Sequence, residues 1–206
     1  MKHILCDVDG VVVNGFHADP ARRVSWMDSL QEDLGICPDA LVREFFLKDF
    51  SEIILGKADL IEVLGVVLPR LSFQGDPHEF VAYWLQKDSN LNHGFLDWVN
   101  EQKANSSVCF HLATNQEHRR ADHLWNGLGL KNTFDKMFYA ADIGYKKPDI
   151  EFFQYVVDSL QTAPSDMVLI DDHPENVDVA RSLGMGGIVF NDMSDIVNYE
   201  FLISEG

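Results

Sequence analysis

Apolar residues in this chain gather into short uninterrupted runs, and each run ends in a group with chemistry to offer. His3-Ile4-Leu5-Cys6 leads into Asp7, Val108-Cys109-Phe110-His111-Leu112-Ala113 into Thr114-Asn115, and Met167-Val168-Leu169-Ile170 into Asp171-Asp172. Runs of this length and composition predict buried strands. A polar helical pattern starts at Glu117, a helical run spans Ile150 to Leu160, and a third begins near Pro174 with Val177, Ala180 and Leu183 as its periodic face. Strands alternating with helices predict an α/β chain with an open parallel sheet. Such sheets place their ligands at the carboxyl ends of the strands, where the polar groups stand.

Between about Phe16 and Gly94 the alternation breaks. The pattern there predicts helices over Ala21 to Leu34, Ala40 to Phe50, Lys57 to Leu68 and Pro77 to Gln86, with few β-rich runs. A helical insertion therefore follows the first strand.

The polar strand ends have complementary chemistry. Asp7 and Asp9 flank an apolar Val8 in Asp7-Val8-Asp9-Gly10, and alternation along an extended backbone puts both carboxylates on one side. Two carboxylates that close stay ionised only beside a cation; otherwise one holds a proton. An oxygen-rich site of this kind favours Mg²⁺. Gly10 and Val11-Val12-Val13 suggest a turn into a second extended piece. Thr114 and Asn115 offer a hydroxyl and an amide just before a helix start, whose free N–H groups attract anions. Lys147 is fixed beside Pro148 ahead of the Ile150 helix, with Lys146 as its solvated neighbour. Each piece alone has a plainer explanation: an acidic turn, an N-cap, an acidic helix start. The four together describe a site that handles phosphate.

Composition narrows the class without naming the reaction. With 206 residues, 46% hydrophobic and 24% charged, the chain can bury a substantial core. A formal net charge of −17 argues against a nucleic-acid partner. It also requires an anionic substrate to be drawn in by local positive features. No apolar run is long enough to span a membrane, and no secretion leader is evident. The expectation is a cytoplasmic protein with no membrane association. Its three cysteines form no framework: Cys6 and Cys109 fall in strand candidates, and Cys37 stands beside Pro38.

Taken together, Asp7-Val8-Asp9-Gly10-Val11-Val12, Thr114-Asn115, Gly144-x-x-Lys147-Pro148-Asp149 and Ile170-Asp171-Asp172-His173-x-x-Asn176-Val177, with Ala180 and Gly184, resemble the signature of the haloacid dehalogenase superfamily. The likeness is to its phosphatase branch and runs from residue 3 to about residue 190. It implies a Rossmann-like core of about five parallel strands, formed by residues 1–15 and 95–206, with a helical cap over residues 16–94. It implies that Asp7 is the nucleophile, phosphorylated during turnover, and also a metal ligand. Asp9 would be the general acid/base and offer its backbone carbonyl to the metal. Thr114, Asn115 and Lys147 would bind phosphate, Asp172 would ligate Mg²⁺ directly, and Asp171 would act at least partly through metal-bound water. The substrate would be a small phosphorylated metabolite such as a sugar phosphate.

An acid at position 9 separates the chain from dehalogenases, which lack it, and from phosphonate hydrolases, which would carry Ala there. A phosphomutase shares these motifs and stays open as an alternative. A non-catalytic phospho-receiver, a much shorter domain without the Asp9 role, is a further one. For Asp9 to donate and then accept a proton, its pKa should stand well above that of a free carboxyl while Asp7 stays ionised. In the insertion, His17, Arg22-Arg23 and Gly56-Lys57 are candidate cleft residues, and each is also explained as packing or a solvated face. His118 and His123, five apart, do not share a helical face and are not assigned to a metal. His173 adjoins the acid pair, and the four tryptophans read as packing residues.

Overall fold

The computed structural model of the chain describes residues 1–197; residues 198–206, the end of the expected core segment, lie outside the described residues. Among the described residues there are seven strands: β1 (Lys2–Cys6), β2 (Val13–Asn14), β3 (Asn90–Leu91), β4 (Val108–Thr114), β5 (Lys136–Tyr139), β6 (Met167–Asp171) and β7 (Gly186–Val189). Five of them form a parallel sheet in the order β5-β4-β1-β6-β7. β1 is central because its side chains are apolar on both faces, and only the middle of a covered parallel sheet buries both. Ile4 and Cys6 join Phe110, Leu112, Val168 and Ile170 on one face. Leu5 joins Ala113 and Leu169 on the other, under Phe152, Phe153 and Val156 of the helix Ile150–Leu160. After β1 the chain builds outward to β4 and β5, then returns to add β6 and β7 on the opposite side. The carboxyl ends of β1, β4 and β6 therefore meet where the direction of winding reverses, which is the crevice that open α/β sheets use for ligands.

The insertion has a core of its own, made from Leu30, Ile36, Leu41, Phe45, Ile53, Leu60, Leu64, Phe80 and Trp84 among others, all between residues 30 and 84. Its two long helices, Leu60–Arg70 and Pro77–Lys87, start where Asp59 and Asp76 accept backbone N–H groups of the first turn. The expected helix Ala21 to Leu34 is reduced to a 3₁₀ turn, Pro20–Arg22, and a short helix, Leu30–Leu34. Arg23 between them is extended, and its guanidinium donates to the His17 carbonyl. The expected helix Ala40 to Phe50 is likewise broken into Pro38–Leu41, a π-turn at Val42–Phe46, and Phe50–Ile54. The wider turn brings Phe45, Phe46 and Phe50 into mutual ring contact, with Phe46 and Phe50 also against Trp84.

Two strands join the parts. Val13 and Asn14 of β2 pair with Leu91 and Asn90 of β3 in an antiparallel ribbon at the base of the insertion. Asn92 then caps the helix His93–Asn105 and donates its amide to the Val11 carbonyl. His93 and Gly94 thus lie inside a core helix, and the second crossing is made a few residues earlier than the sequence suggested. Trp98 packs on Phe110 in the sheet core, and Trp26 stacks on Trp84 in the insertion. Cys6 is buried, Cys109 half-buried and Cys37 exposed, all as free thiols. No helix among the described residues is long and apolar enough to cross a membrane.

Candidate active site

Asp7 follows β1 directly, and its N–H continues the sheet ladder by donating to the Ile170 carbonyl at 2.9 Å. The chain then turns sharply about Val8, whose carbonyl accepts from the N–H groups of Val11, Val12 and Val13. Val8 is fully buried, as alternation required. Gly10 makes the turn possible for two reasons. Its φ is +81°, and a Cβ there would stand 2.4 Å from Asp172 Oδ2.

Lys147 holds the acids together. Its Nζ lies 2.9 Å from Asp7 Oδ1 and 2.6 Å from Asp171 Oδ2, with almost no exposure to solvent. Asn115 fixes that lysine: its amide donates to the Lys147 carbonyl and its carbonyl oxygen accepts the Lys147 N–H, both at 2.8 Å. The Asn115 side chain therefore works on the lysine loop. Pro148 does not begin the following helix; Asp149 precedes it and Ile150 opens it. Thr114, at the end of β4, is buried, and its hydroxyl accepts from Gln116.

The acid pair at the end of β6 is satisfied unequally. Asp171 accepts from Lys147, from the His173 N–H and from Asn176, which reaches both of its oxygens. Asp172 accepts from the Ala18 N–H at 2.6 Å and lies 2.8 Å from His173 Nδ1. Ligand atoms of Asp7, Asp171, Asp172 and His173 all lie within 4.8 Å of one another, so these four groups could hold a metal ion. Burial and the neighbouring Asp171 push the Asp7 pKa up to about 8, against the pull of Lys147. Lys147 is itself driven down by burial, but Asp171 and Asp7 outweigh that and hold it charged. Three carboxylates around one ammonium leave a surplus of negative charge in a buried place. An oxygen-rich donor set with that surplus fits a hard divalent cation.

Asp9 has the opposite surroundings. Arg120 Nη1 donates to its Oδ2 at 2.9 Å and Nη2 to its Oδ1 at 2.7 Å, while Gln116 adds a third bond at 2.7 Å. Burial alone would raise the Asp9 pKa, but Arg120 more than offsets it, and the net direction is below the usual carboxylate range. The expectation of a raised Asp9 beside an ionised Asp7 is therefore reversed in this state. The cause is Arg120, a buried guanidinium one turn into the helix His118–Asp122, which the sequence reading passed over. The signal available was Thr114-Asn115-Gln116-Glu117-His118-Arg119-Arg120: a strand end followed within one helical turn by two arginines facing different ways.

The remaining candidates take other posts. His17 is buried; its Nδ1 accepts the Asp19 N–H and stands 3.7 Å from Asp172, while Nε2 has no partner. Arg22 is half-exposed and reaches the Asn191 carbonyl, and Arg23 lies over the Phe16 ring. Phe16 in turn stacks on His173, whose pKa is raised first by its bond to Asp172. Gly56 comes so close to the Ala141 carbonyl and His118 that a side chain there would collide with both. Lys57 beside it is exposed.

Comparison with known proteins agrees with this geometry. Residues 1–184 match the family model described as haloacid dehalogenase-like hydrolase. The chain is 31% identical over 196 residues to a phosphorylated carbohydrates phosphatase of Thermotoga maritima, covering 90% of this chain and 82% of that protein. A sesquiterpene phosphatase of Aspergillus oryzae is 37% identical over 59 residues, 29% of this chain and 30% of that protein. The chain spans less than a third of the length of several such short-range relatives. Among solved structures, a HAD family enzyme of Bacteroides thetaiotaomicron, in complex with magnesium and inorganic phosphate, superposes with a TM-score of 0.76 at 18% identity, covering 96% of this chain and 100% of that one. On the extent of the family match and the length of the Thermotoga alignment, this chain belongs to the haloacid dehalogenase-like hydrolases.

Proposed function

We propose that this hydrolase is a Mg²⁺-dependent phosphatase of small phosphate monoesters, working through an aspartyl phosphate on Asp7. The supporting observation is the Lys147 ammonium held between Asp7 and Asp171 at 2.9 and 2.6 Å, at strand ends that also deliver Thr114 and Asp172. Asp7, Asp172 and, less directly, the heavily hydrogen-bonded Asp171 would hold the ion, with the Asp9 backbone carbonyl. When bound, Mg²⁺ supplies charge neutralisation and orientation of a phosphate oxygen. An Asp7 oxygen attacks phosphorus, the ester P–O bond breaks, and the leaving alkoxide takes a proton from the Asp9 carboxyl. Water then attacks the phosphorus of the acyl phosphate, gives its proton to Asp9, and frees phosphate and Asp7. Lys147, Thr114 and the N–H groups at the Asn115 turn would hold the equatorial oxygens, which is most of what such a reaction asks of a protein.

A sugar phosphate is a reasonable substrate class, since the relative aligned over most of the chain bears the name of a phosphatase of phosphorylated carbohydrates. A cytoplasmic location is the matching setting. The insertion, as a cap over residues 16–94, would set specificity and exclude water. Purified protein incubated with a panel of phosphorylated metabolites should release phosphate over many cycles with Mg²⁺ and not with chelator. A stoichiometric phosphoprotein without turnover would remove the reading.

A further inference from the structure

Arg120 stands at a place where the catalytic strand ends meet the cap. Its guanidinium holds both oxygens of Asp9, and the same Nη2 lies 3.1 Å from Asp88 Oδ2 and 3.4 Å from the Asp88 carbonyl. Asp88 belongs to the cap. It closes the helix Pro77–Lys87 and accepts from the Trp84 indole, which is stacked on Trp26 in the cap's aromatic core. It also lies at the crossing between the two parts: a Cβ on Gly15, in the other linker, would sit 3.1 Å from Asp88 Oδ1. Asp9 and Arg120 belong to the core. One buried cation is thus shared by two carboxylates on opposite sides of the hinge ribbon.

This arrangement conflicts with the part Asp9 has to play. With one oxygen on each arm of the fork and Gln116 on Oδ2 as well, three donors hold Asp9 as an acceptor-only carboxylate, and a carboxyl that donates a proton needs one of those arms withdrawn. The clamp has to open during turnover. Guanidinium is always charged, so when buried it leaves one carboxylate at least cost where another is ready to take it. Asp88 is that acceptor, already in contact and moving with the cap.

We propose that Arg120 is a positioning residue that couples the cap to the catalytic acid: movement of the cap at the hinge draws the guanidinium fully onto Asp88 and releases Asp9 to serve the leaving group. Asp9 is then freed only when the cap has taken up a substrate. The inference rests on the phosphatase reading above and adds the device that times its acid step.

The test compares two substrate types in the full-length protein with Mg²⁺. An aryl phosphate with a good leaving group needs little proton donation, whereas an alkyl phosphate depends on it. With Asp88→Asn, Arg120 has no charged second partner and stays on Asp9. Alkyl ester kcat/KM, which reports the step that expels the leaving group, is expected to fall at least about tenfold, part of the 10²–10⁴-fold that general acid catalysis contributes, while aryl ester kcat/KM falls far less. Equal losses on both esters, or no loss, would overturn the coupling, because a purely structural role would not distinguish leaving groups. A wild-type chain inactive on both esters would overturn the phosphatase reading and the coupling with it. A crystal structure of the unaltered protein with Mg²⁺ and beryllium fluoride gives a second reading. Asp9 parted from Arg120, with the guanidinium kept on Asp88, supports the proposal; Asp9 still clamped in a cap-closed complex overturns it.

Discussion

Two buried cations, each set between carboxylates, divide the work of this site. Lys147 sits between Asp7 and Asp171 at the sheet edge, and Arg120 between Asp9 and Asp88 at the hinge. The outcomes differ. Around Lys147 a compact ammonium faces two carboxylates with Asp172 close by, and Asp7 is left with its pKa pushed up to about 8. Around Arg120 a planar fork meets both oxygens of Asp9, and that carboxyl is held below its usual range. The first cluster sets three carboxylates around one ammonium and so is built to accept a further cation; in the second a single fork spans two carboxylates and so is built to change partners. Fork and point charge are not interchangeable here.

The largest effect is expected at the two acids themselves. Asp7→Asn should lower kcat at least about 10³-fold, since it removes a group that acts as a unit with its neighbours. Asp9→Asn should also stop turnover while leaving Mg²⁺ binding and the fold in place, at a cost in stability, because Arg120 then keeps Asp88 as its charged partner. Metal titration alongside kinetics separates the two, and normal rates in either variant would remove the assigned role.

Next come the cations. Removing one partner of a buried ion pair costs about 3–5 kcal/mol, so Lys147→Met and Arg120→Met should both unfold at lower denaturant. Mg²⁺ is expected to restore part of the loss in the first and little in the second, because the Asp9 and Asp88 carboxylates are not among the four clustered groups that could hold a metal ion. Equal rescue of both variants would erase the distinction between the clusters.

The pH dependence sharpens the same contrast. Asp7 has a folded pKa near 8 against a value near 4 when unfolded. Between those values the folded state holds the proton and the unfolded state has lost it, so stability from this group is full in acid and declines as pH rises through about 8. Mg²⁺ replaces that proton, so the rise in melting temperature it produces should be larger at pH 8 than at pH 5.5. A rise independent of pH would argue that the ion binds elsewhere. Asp9 acts in the opposite sense: its depressed pKa adds stability at neutral pH that is lost as pH falls below the ordinary carboxylate range.

A smaller effect is expected from Gly10→Ala, at about 1–3 kcal/mol, from positive φ and from crowding of Asp172. Because Asp172 is the group displaced, Mg²⁺ affinity should weaken along with stability.

Much of the core was legible because its strands are continuous apolar runs ending in functional groups, a pattern local sequence records faithfully. The strands Lys2–Cys6, Val108–Thr114 and Met167–Asp171 show this, and the helix Ile150–Leu160 was legible from its own pattern. The edge strands Lys136–Tyr139 and Gly186–Val189 carry shorter and weaker signals. In the cap, the two long helices could be read from periodicity, while the stretch 21–54 could not. There the backbone bends to bring Phe45, Phe46, Phe50 and Trp84 together, and such contacts are set by tertiary packing. Arg120 was missed for the same reason. Its partners Asp9 and Asp88 lie 111 and 32 residues away, so the local sequence shows two arginines just past a strand end but not which of them turns inward.

The central claim is the covalent step at Asp7, and trapping that step tests it most directly. Protein turning over a phosphate ester with Mg²⁺ would be quenched, reduced with borohydride and digested, and the peptide containing residue 7 examined by mass spectrometry. Conversion of Asp7 to homoserine, absent without substrate, is the expected result. Steady phosphate release with Asp7 unchanged, or with the modification on another residue, would contradict it.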